Sequence, residues 1–340
     1  MRRLSVITFF LNEARNLPLL KERLLAVLGP LDLEIEFILV DDHSTDASSE
    51  IAQAWVAEQP LTTYIRLSRN CGSHAAIAAG LKSCTGDCAV IMAADLQDPP
   101  EAIPQLLEHW QEGNDVVWAC RAARLGESLI TLAFSKIYYK VMQWIAMPET
   151  PAQGADFVLI DRKVIDACNA IPEKHTSIMA MILWMGFRQT SFEYVKQARQ
   201  SGSSKWTFSK KVKLFVDSVI SFSYVPIRFM SLLGLIMAAS GFIYALVVVV
   251  GRLTGWINAG TGFAALMTVL LVGQGSILTM LGILGEYLWR TFDESRGRPR
   301  YIIEKFVTSK GPLSSSNGEE NKHDSSGSYR CRILGTKSDP

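Results

Sequence analysis

From Met1 to about Tyr224, short apolar runs rich in Val, Ile and Phe alternate with longer amphipathic stretches. The short runs predict strands at 4–10, 34–40, 64–67, 89–92 and 116–119, and the amphipathic stretches predict helices at about 17–28, 46–58, 73–82 and 100–112. Pro99 and Pro100 open the last of these helices, where a missing N–H costs nothing. Strand and helix in alternation imply βαβ units, a mostly parallel sheet and a Rossmann-like nucleotide fold. Further on, the pattern predicts a helix at 128–147, a strand at 157–160, helices at 163–170 and 177–185, and extended chain at 187–194.

The pattern then changes abruptly, because 229–251 and 253–285 contain no Asp, Glu, Lys or Arg. Each can hold a helix of about 20 apolar residues, enough to cross a bilayer core of about 30 Å. Before them, 205–224 mixes Lys205, Lys210, Lys211 and Lys213 with Trp206, Phe208, Phe215 and Phe222, the composition of a helix lying in the membrane interface. A Gly/Asn/Thr segment, 254–262, joins the two apolar stretches into a helical hairpin. Arg290, Arg296, Arg298, Arg300 and Lys305 follow it, whereas the connection offers only Arg252, so the positive-inside rule puts the large domain and the tail in the cytoplasm. Domains are therefore expected at 1–205 (α/β), 206–228 (interfacial), 229–251 and 263–285 (transmembrane), 286–308 (juxtamembrane) and 309–340 (disordered tail, rich in Ser, Gly, Asn and charge). Arg2 and Arg3 before an apolar run resemble a signal peptide, but the run is too short and meets Asn12 and Glu13 without a small-residue cleavage site. A buried first strand is the expectation.

Composition narrows the partners. A formal net charge of +1 over 340 residues argues against a nucleic-acid binder. The six cysteines form no CxxC pair and no zinc-ligand spacing, so they read as structural thiols in a reducing compartment. Small residues in the spans, such as Gly234, Gly241, Gly273 and Gly282, are compatible with a homo-oligomer and equally with packing inside one hairpin.

Candidate chemistry falls at strand ends, where open α/β sheets bind their ligands. Three carboxylate-bearing segments lie there: Asn12 and Glu13; Asp41, Asp42, His43, Ser44, Thr45 and Asp46; and Asp95, Leu96, Gln97, Asp98, Pro99 and Pro100. Carboxylates do not bind a bare phosphate, but they bind base and ribose hydroxyls, or a divalent cation that bridges to a diphosphate.

With Asn70-Cys71-Gly72, Gly154-Ala155-Asp156, Arg199, Gly202-Ser203-Ser204-Lys205, Gly285-Glu286-Tyr287 and Arg298-Pro299, these segments make the chain resemble the inverting family 2 glycosyltransferases. Within that family it is similar to polyprenyl-phosphate sugar transferases, related to the dolichyl-phosphate mannosyl and bacterial undecaprenyl-phosphate glucosyl enzymes. The resemblance implies a GT-A domain followed by the interfacial region and two transmembrane helices, in a two-pass protein of the bacterial inner membrane. It implies a nucleotide-sugar donor, a polyprenyl-phosphate acceptor, membrane lipids as partners and Mg²⁺ or Mn²⁺ as cofactor. Asn12, Glu13, Asp42 and Ser44 would bind the nucleoside, and Asp95 and Gln97 the cation. Arg121, Arg199 and Lys205 would gather phosphate, and Asp95, Asp156 and Arg121 would carry catalysis. A lipid phosphate is already an anion, so its attack on the anomeric carbon needs no strong general base, and Asp156 serves either as base or as an orienting carboxylate.

Two departures stand out. The family's DxD has its first acidic residue where this chain has Ala93, and an Arg-Gly pair is common where it has Met179 and Ala180. The first favours, as an alternative reading, a catalytically weak or silent membrane scaffold. Because the nucleotide contacts named here all precede residue 130, removing everything after Tyr224 is expected to spare donor binding.

Overall fold

The computed structural model describes residues 2–121, 157–171, 173–174, 176–194, 225–256 and 262–309. Strands β1 (Arg3–Phe10), β2 (Glu34–Asp41), β3 (Thr62–Leu67) and β4 (Cys88–Ala93) alternate with helices α1 (Leu17–Leu28), α2 (Ser48–Glu58) and α3 (Ser73–Ser83). A short 3₁₀ turn, Pro100–Ala102, leads into α4 (Ile103–Gln111). There follow β5 (Val116–Arg121), β6 (Phe157–Asp161), α5 (Arg162–Ala170), α6 (Ile178–Trp184) and β7 (Gln189–Tyr194). Two long helices, α7 (Val225–Leu253) and α8 (Phe263–Ser295), precede a last strand, β8 (Ile303–Thr308).

The expected strands and helices in the described part of the α/β domain all form, with ends shifted by a residue or two. The helix expected at 128–147, the interfacial stretch up to 224 and the tail from 310 lie outside the described residues. The eight strands make one sheet, in the order β7-β5-β6-β4-β1-β2-β3-β8. The sheet is mixed, with parallel pairs in a small majority: β1 pairs parallel with β2 and β4, β2 with β3 and β5 with β7, but β6 runs antiparallel to β4 and β5, and β8 to β3.

β1 is central, as a largely apolar and buried strand flanked by two crossovers should be. Leu4, Val6 and Phe10 enter one core layer with Leu20, Leu24, Trp55 and Leu106, while Ile7 joins Ile38, Ile77, Ile91 and Ile165 on the other face. Each such side chain contributes about 1.5–3 kcal/mol when fully buried. Helix α3 approaches β1 so closely that a Cβ on Gly80 would lie 2.4 Å from Ile7 Cγ2, which explains glycine there.

Register brings the strand ends level. Phe9 pairs with Val40 and with Ala93, and the Asp42 N–H donates to Phe10 O at 2.9 Å. The chain therefore leaves β1, β2 and β4 at one height, beside the point where strand order reverses from β1 to β4. At the opposite end, Glu36 is buried and accepts from Ser5 Oγ (2.5 Å), Thr85 N (2.8 Å) and Thr85 Oγ1 (2.8 Å), a satisfied network that closes the sheet floor.

Helices α7 and α8 invert the rule of the sheet domain. Leu235 and Phe242 are 67% and 75% exposed, and no part of the apolar stretch Ile227–Val248 is buried. That stretch is long and apolar enough to cross a bilayer by length and composition. The hydroxyls of Ser240, Ser276 and Thr279 donate to the carbonyls of Met237, Val272 and Gly275, which hides their polarity within the helix.

The segment after 285 differs from a simple juxtamembrane tail. Helix α8 continues to Ser295 with an i,i+4 pair of Arg290 on Glu286, and Gly297 (φ +61°) turns the chain. Lys174 Nζ donates to Asp293 O (2.7 Å) and Arg300 Nη2 to Thr176 O (2.6 Å), docking the helix end on the sheet domain. β8 then completes the sheet on β3, and the Ser309 N–H donates to Thr62 O at 2.9 Å. An alternating pattern of Ile303, Lys305 and Val307 inward is present in the sequence, but it follows a membrane-like run and is short.

Candidate active site

The three expected segments converge on the carboxyl ends of β1, β2 and β4. Asn12 (φ +54°) turns the chain out of β1, and asparagine tolerates that left-handed conformation. Its N–H donates to Ser44 Oγ (2.9 Å), and its Oδ1 accepts from Thr45 N (2.7 Å), so the β1 and β2 loops are stitched together. Glu13 receives a bond from Asn16 Nδ2 at 2.6 Å, and its own N–H donates to Ser48 Oγ at 2.8 Å. Asn12 and Ser44 thus join the two loops, and Glu13 stands half-buried beside them.

Asp42 is buried and accepts from Cys71 N (2.7 Å) and Gly72 N (2.9 Å) at the start of α3. Gly72 has φ +89°, a backbone state that leaves it free to present its N–H. Burial pushes the Asp42 carboxyl above its ordinary range, against the lowering effect of those two N–H groups. Asp46, by contrast, sits below its ordinary range: desolvation pushes it up, but bonds from Ser48 and from Ala14 N outweigh it.

Asp41, one of the strand-end carboxylates, holds this loop, and sequence reading missed both that role and its partner Arg66. Asp41, fully buried, accepts from Ser44 N (2.6 Å), Tyr64 Oη (2.9 Å) and Arg66 Nη1 (2.9 Å). Burial pushes the Tyr64 hydroxyl up to about 12, so it stays a neutral donor. Arg66 Nη2 also donates to Ser44 O (3.0 Å), and its Nε to Glu304 Oε2 (2.9 Å) on β8. An arginine inside the apolar run of β3 was the available signal, since a half-buried guanidinium requires carboxylate partners.

The β4 turn is built differently. Leu96 has φ +59°, a strained state for a leucine, and its side chain is fully buried in the core. That anchor leaves Asp95 and Gln97 half-buried at the rim, with the Gln97 N–H donating to Asp95 Oδ1 at 3.2 Å. Asp98, buried, receives the Tyr194 hydroxyl, which ties the turn to β7. Ala93 ends β4 half-buried beside them. Among the described residues no group of three or more His, Cys, Asp or Glu could hold a metal ion. Asp95 and Gln97 supply one carboxylate and one amide oxygen, a donor set that fits Mg²⁺ or Mn²⁺ only when diphosphate oxygens and water complete the shell.

Arg121 ends β5, on the same sheet. Asp156, Arg199 and Lys205 lie outside the described residues. Cys84 and Cys168 serve packing: burial pushes the Cys84 thiol up to about 11 and Cys168 up to about 12, which keeps both unreactive.

Comparison with known proteins adds to the geometry. Residues 5–168 match the family model described as glycosyl transferase family 2. The chain is 36% identical over 310 residues to the undecaprenyl-phosphate 4-deoxy-4-formamido-L-arabinose transferase of Photorhabdus laumondii, covering 90% of this chain and 95% of that protein. It is 31% identical over 303 residues to a prophage bactoprenol glucosyl transferase homolog of Escherichia coli, covering 89% and 99%. Among solved structures, mannosyl-3-phosphoglycerate synthase from Rubrobacter xylanophilus superposes with a TM-score of 0.50 at 17% identity, over 64% of this chain and 72% of that one.

Proposed function

Since this chain belongs to glycosyltransferase family 2, and is a transferase of the polyprenyl-phosphate type with a GT-A domain, we propose that it moves one sugar from a nucleotide sugar to a polyprenyl phosphate. The transfer takes place with inversion, at the cytoplasmic face of a membrane that α7 and α8 cross as a hairpin. One observation carries this reading: the loops that leave β1, β2 and β4 at one end of the sheet, with Glu13, Asp42 and Asp95 on them, belong to the same chain as two long helices with outward apolar side chains.

The β1 and β2 loops hold the nucleoside, with Asp42 nearest the base and Glu13 and Ser44 at its rim. Asp95 and Gln97 would hold Mg²⁺ or Mn²⁺, which when bound would supply neutralisation of the charge that grows on the departing nucleoside diphosphate. Asp95, rigidly placed by the buried Leu96, aligns the donor. The acceptor's phosphate oxygen attacks the anomeric carbon from the face opposite the leaving group, so the configuration inverts. Arg121, Arg199 and Lys205 collect that phosphate, since arginine's planar fork offers paired donors. Asp156 is retained as the orienting carboxylate or base of this step. The two similar enzymes named above carry different sugars, so the sugar and the base are set by pocket details beyond the family pattern.

The test is product analysis. Purified protein, undecaprenyl phosphate, Mg²⁺ or Mn²⁺ and a panel of nucleotide sugars should yield one acid-labile lipid-phosphate sugar of inverted anomeric configuration. A product that retains configuration, or no lipid product from any donor, overturns the proposal.

A further inference from the structure

We propose that β8, the strand that follows the second long helix, is a positioning element of the donor pocket, acting through Glu304. The inference rests on the reading of the β1 and β2 loops as the nucleotide site. Asp41, Ser44 and Arg66 form a closed unit: Asp41 accepts from Ser44 N and Arg66 Nη1, and Arg66 Nη2 returns to Ser44 O. The third face of the same guanidinium, Nε, is held by Glu304 Oε2 at 2.9 Å. Glu304 also reaches His43 Nδ1 at 3.4 Å, while that nitrogen lies 3.1 Å from Leu67 O. His43 itself has φ +66° and sits next to Asp42, so Glu304 touches the loop at its strained residue as well as through Arg66.

Geometry makes β8 more than a cover. Its pairing with β3 carries a register shift between Arg66 and Leu67, at the residue whose side chain enters the loop. Lys305 Nζ donates to Gln53 Oε1 on α2 at 2.5 Å, and Tyr301 and Ile303 pack against the second core layer. β8 is therefore fixed to the domain on several sides, and Glu304 projects from a rigid base. Glu304 comes only nine positions after Ser295, the last residue of α8. The chain that leaves the long helix is thus the chain that orients the donor loop. On this proposal, removing everything after Tyr224 would weaken donor binding rather than spare it.

Glu304 is half-exposed, with 48% of its side chain accessible, so the effect of removing it is modest and the strand survives. An ion pair at such a site is worth up to about 1 kcal/mol, which corresponds to about fivefold in affinity. The full-length protein in detergent is titrated with UDP and with GDP, each with Mn²⁺, for the wild type, Glu304→Ala, Glu304→Gln and a control, Glu34→Gln. Glu34 pairs with Arg3 at the far end of the sheet. Hydrogen exchange at the β3 amides reports whether β8 stays paired. The expected result is that Glu304→Ala weakens nucleotide binding about fivefold with β3 still protected, that Glu304→Gln falls between, and that Glu34→Gln matches the wild type. In turnover, the donor KM rises in Glu304→Ala while kcat is unchanged. Equal affinity of wild type and Glu304→Ala overturns the role of Glu304 and leaves the pocket assignment standing. A wild type that binds neither nucleotide overturns both.

Discussion

Leu24 in the sheet domain is fully buried, whereas Leu235 in α7 is 67% exposed. Across the two regions the same residue types face opposite ways, and on the proposed function the difference is one of solvent, water around the sheet domain and a bilayer around the long helices. In the sheet domain, water drives apolar faces together and leaves polar loops at the strand ends to form a site. In α7 and α8, hydroxyls fold back on carbonyls and apolar side chains face out, the arrangement that suits a bilayer. In the function proposed here the sheet domain would hold the chemistry and the two long helices the location, and β8 follows α8 and pairs with β3 of the sheet.

The largest expected effect removes chemistry without touching location. Asp95→Ala should lower transfer by about a hundred- to a thousandfold, the scale of losing one group that stabilises developing charge, with the protein folded and membrane-bound. Activity that survives with unaltered metal dependence would refute the Asp95 assignment. Ala93→Asp sharpens the same point, because it restores the acidic residue the family pattern has there and should maintain or tighten Mn²⁺ binding.

Next comes the hidden ion pair. Arg66→Met leaves the buried Asp41 carboxylate without its cation and should cost about 3 kcal/mol of unfolding free energy. Asp41→Asn in the same chain should return part of it, as a denaturant titration of both variants would show. The hairpin has its own probe in Leu235→Lys. In a bilayer a lysine at mid-helix costs about 2.5–3.5 kcal/mol of insertion free energy. Reduced membrane extraction yield is the expected readout. An unchanged yield would place α7 in water and collapse the contrast between the regions.

The smallest effect concerns pH. Asp46 is held below its ordinary range, so its contribution is present above the ordinary carboxylate range and is lost as pH falls through the lowered value. Asp46→Asn should lower the stability slightly at neutral pH and leave it unchanged at pH values below the lowered range, so the acid limb of the stability curve flattens. A steeper acid limb would show that other carboxylates govern that range.

Much of this was legible because periodicity reports burial. The runs that became β1, β2 and β4, and the carboxylates at their ends, were visible as apolar stretches meeting Asn12, Asp42 and Asp95. What escaped depends on pairing across long separations. Nothing local in Arg66 names Asp41 as its partner, and nothing in Glu304, 238 positions away, names Arg66. The strained backbone at Leu96 was equally hidden, since a leucine gives no sign of positive φ before its side chain is seen locked in the core. β8 was masked by its neighbourhood, because a short alternating run after a charge-free stretch of 253–285 reads as a tail.

The central claim, sugar transfer to a lipid phosphate, is tested most directly by acceptor-dependent release of nucleoside diphosphate from full-length protein in liposomes. Each nucleotide sugar is supplied with Mn²⁺, with and without undecaprenyl phosphate in the bilayer. The account predicts that one donor gives release that rises with the lipid phosphate, is absent without it and is lost in Asp95→Ala. Release that is the same with and without undecaprenyl phosphate, or that persists in Asp95→Ala, would contradict it.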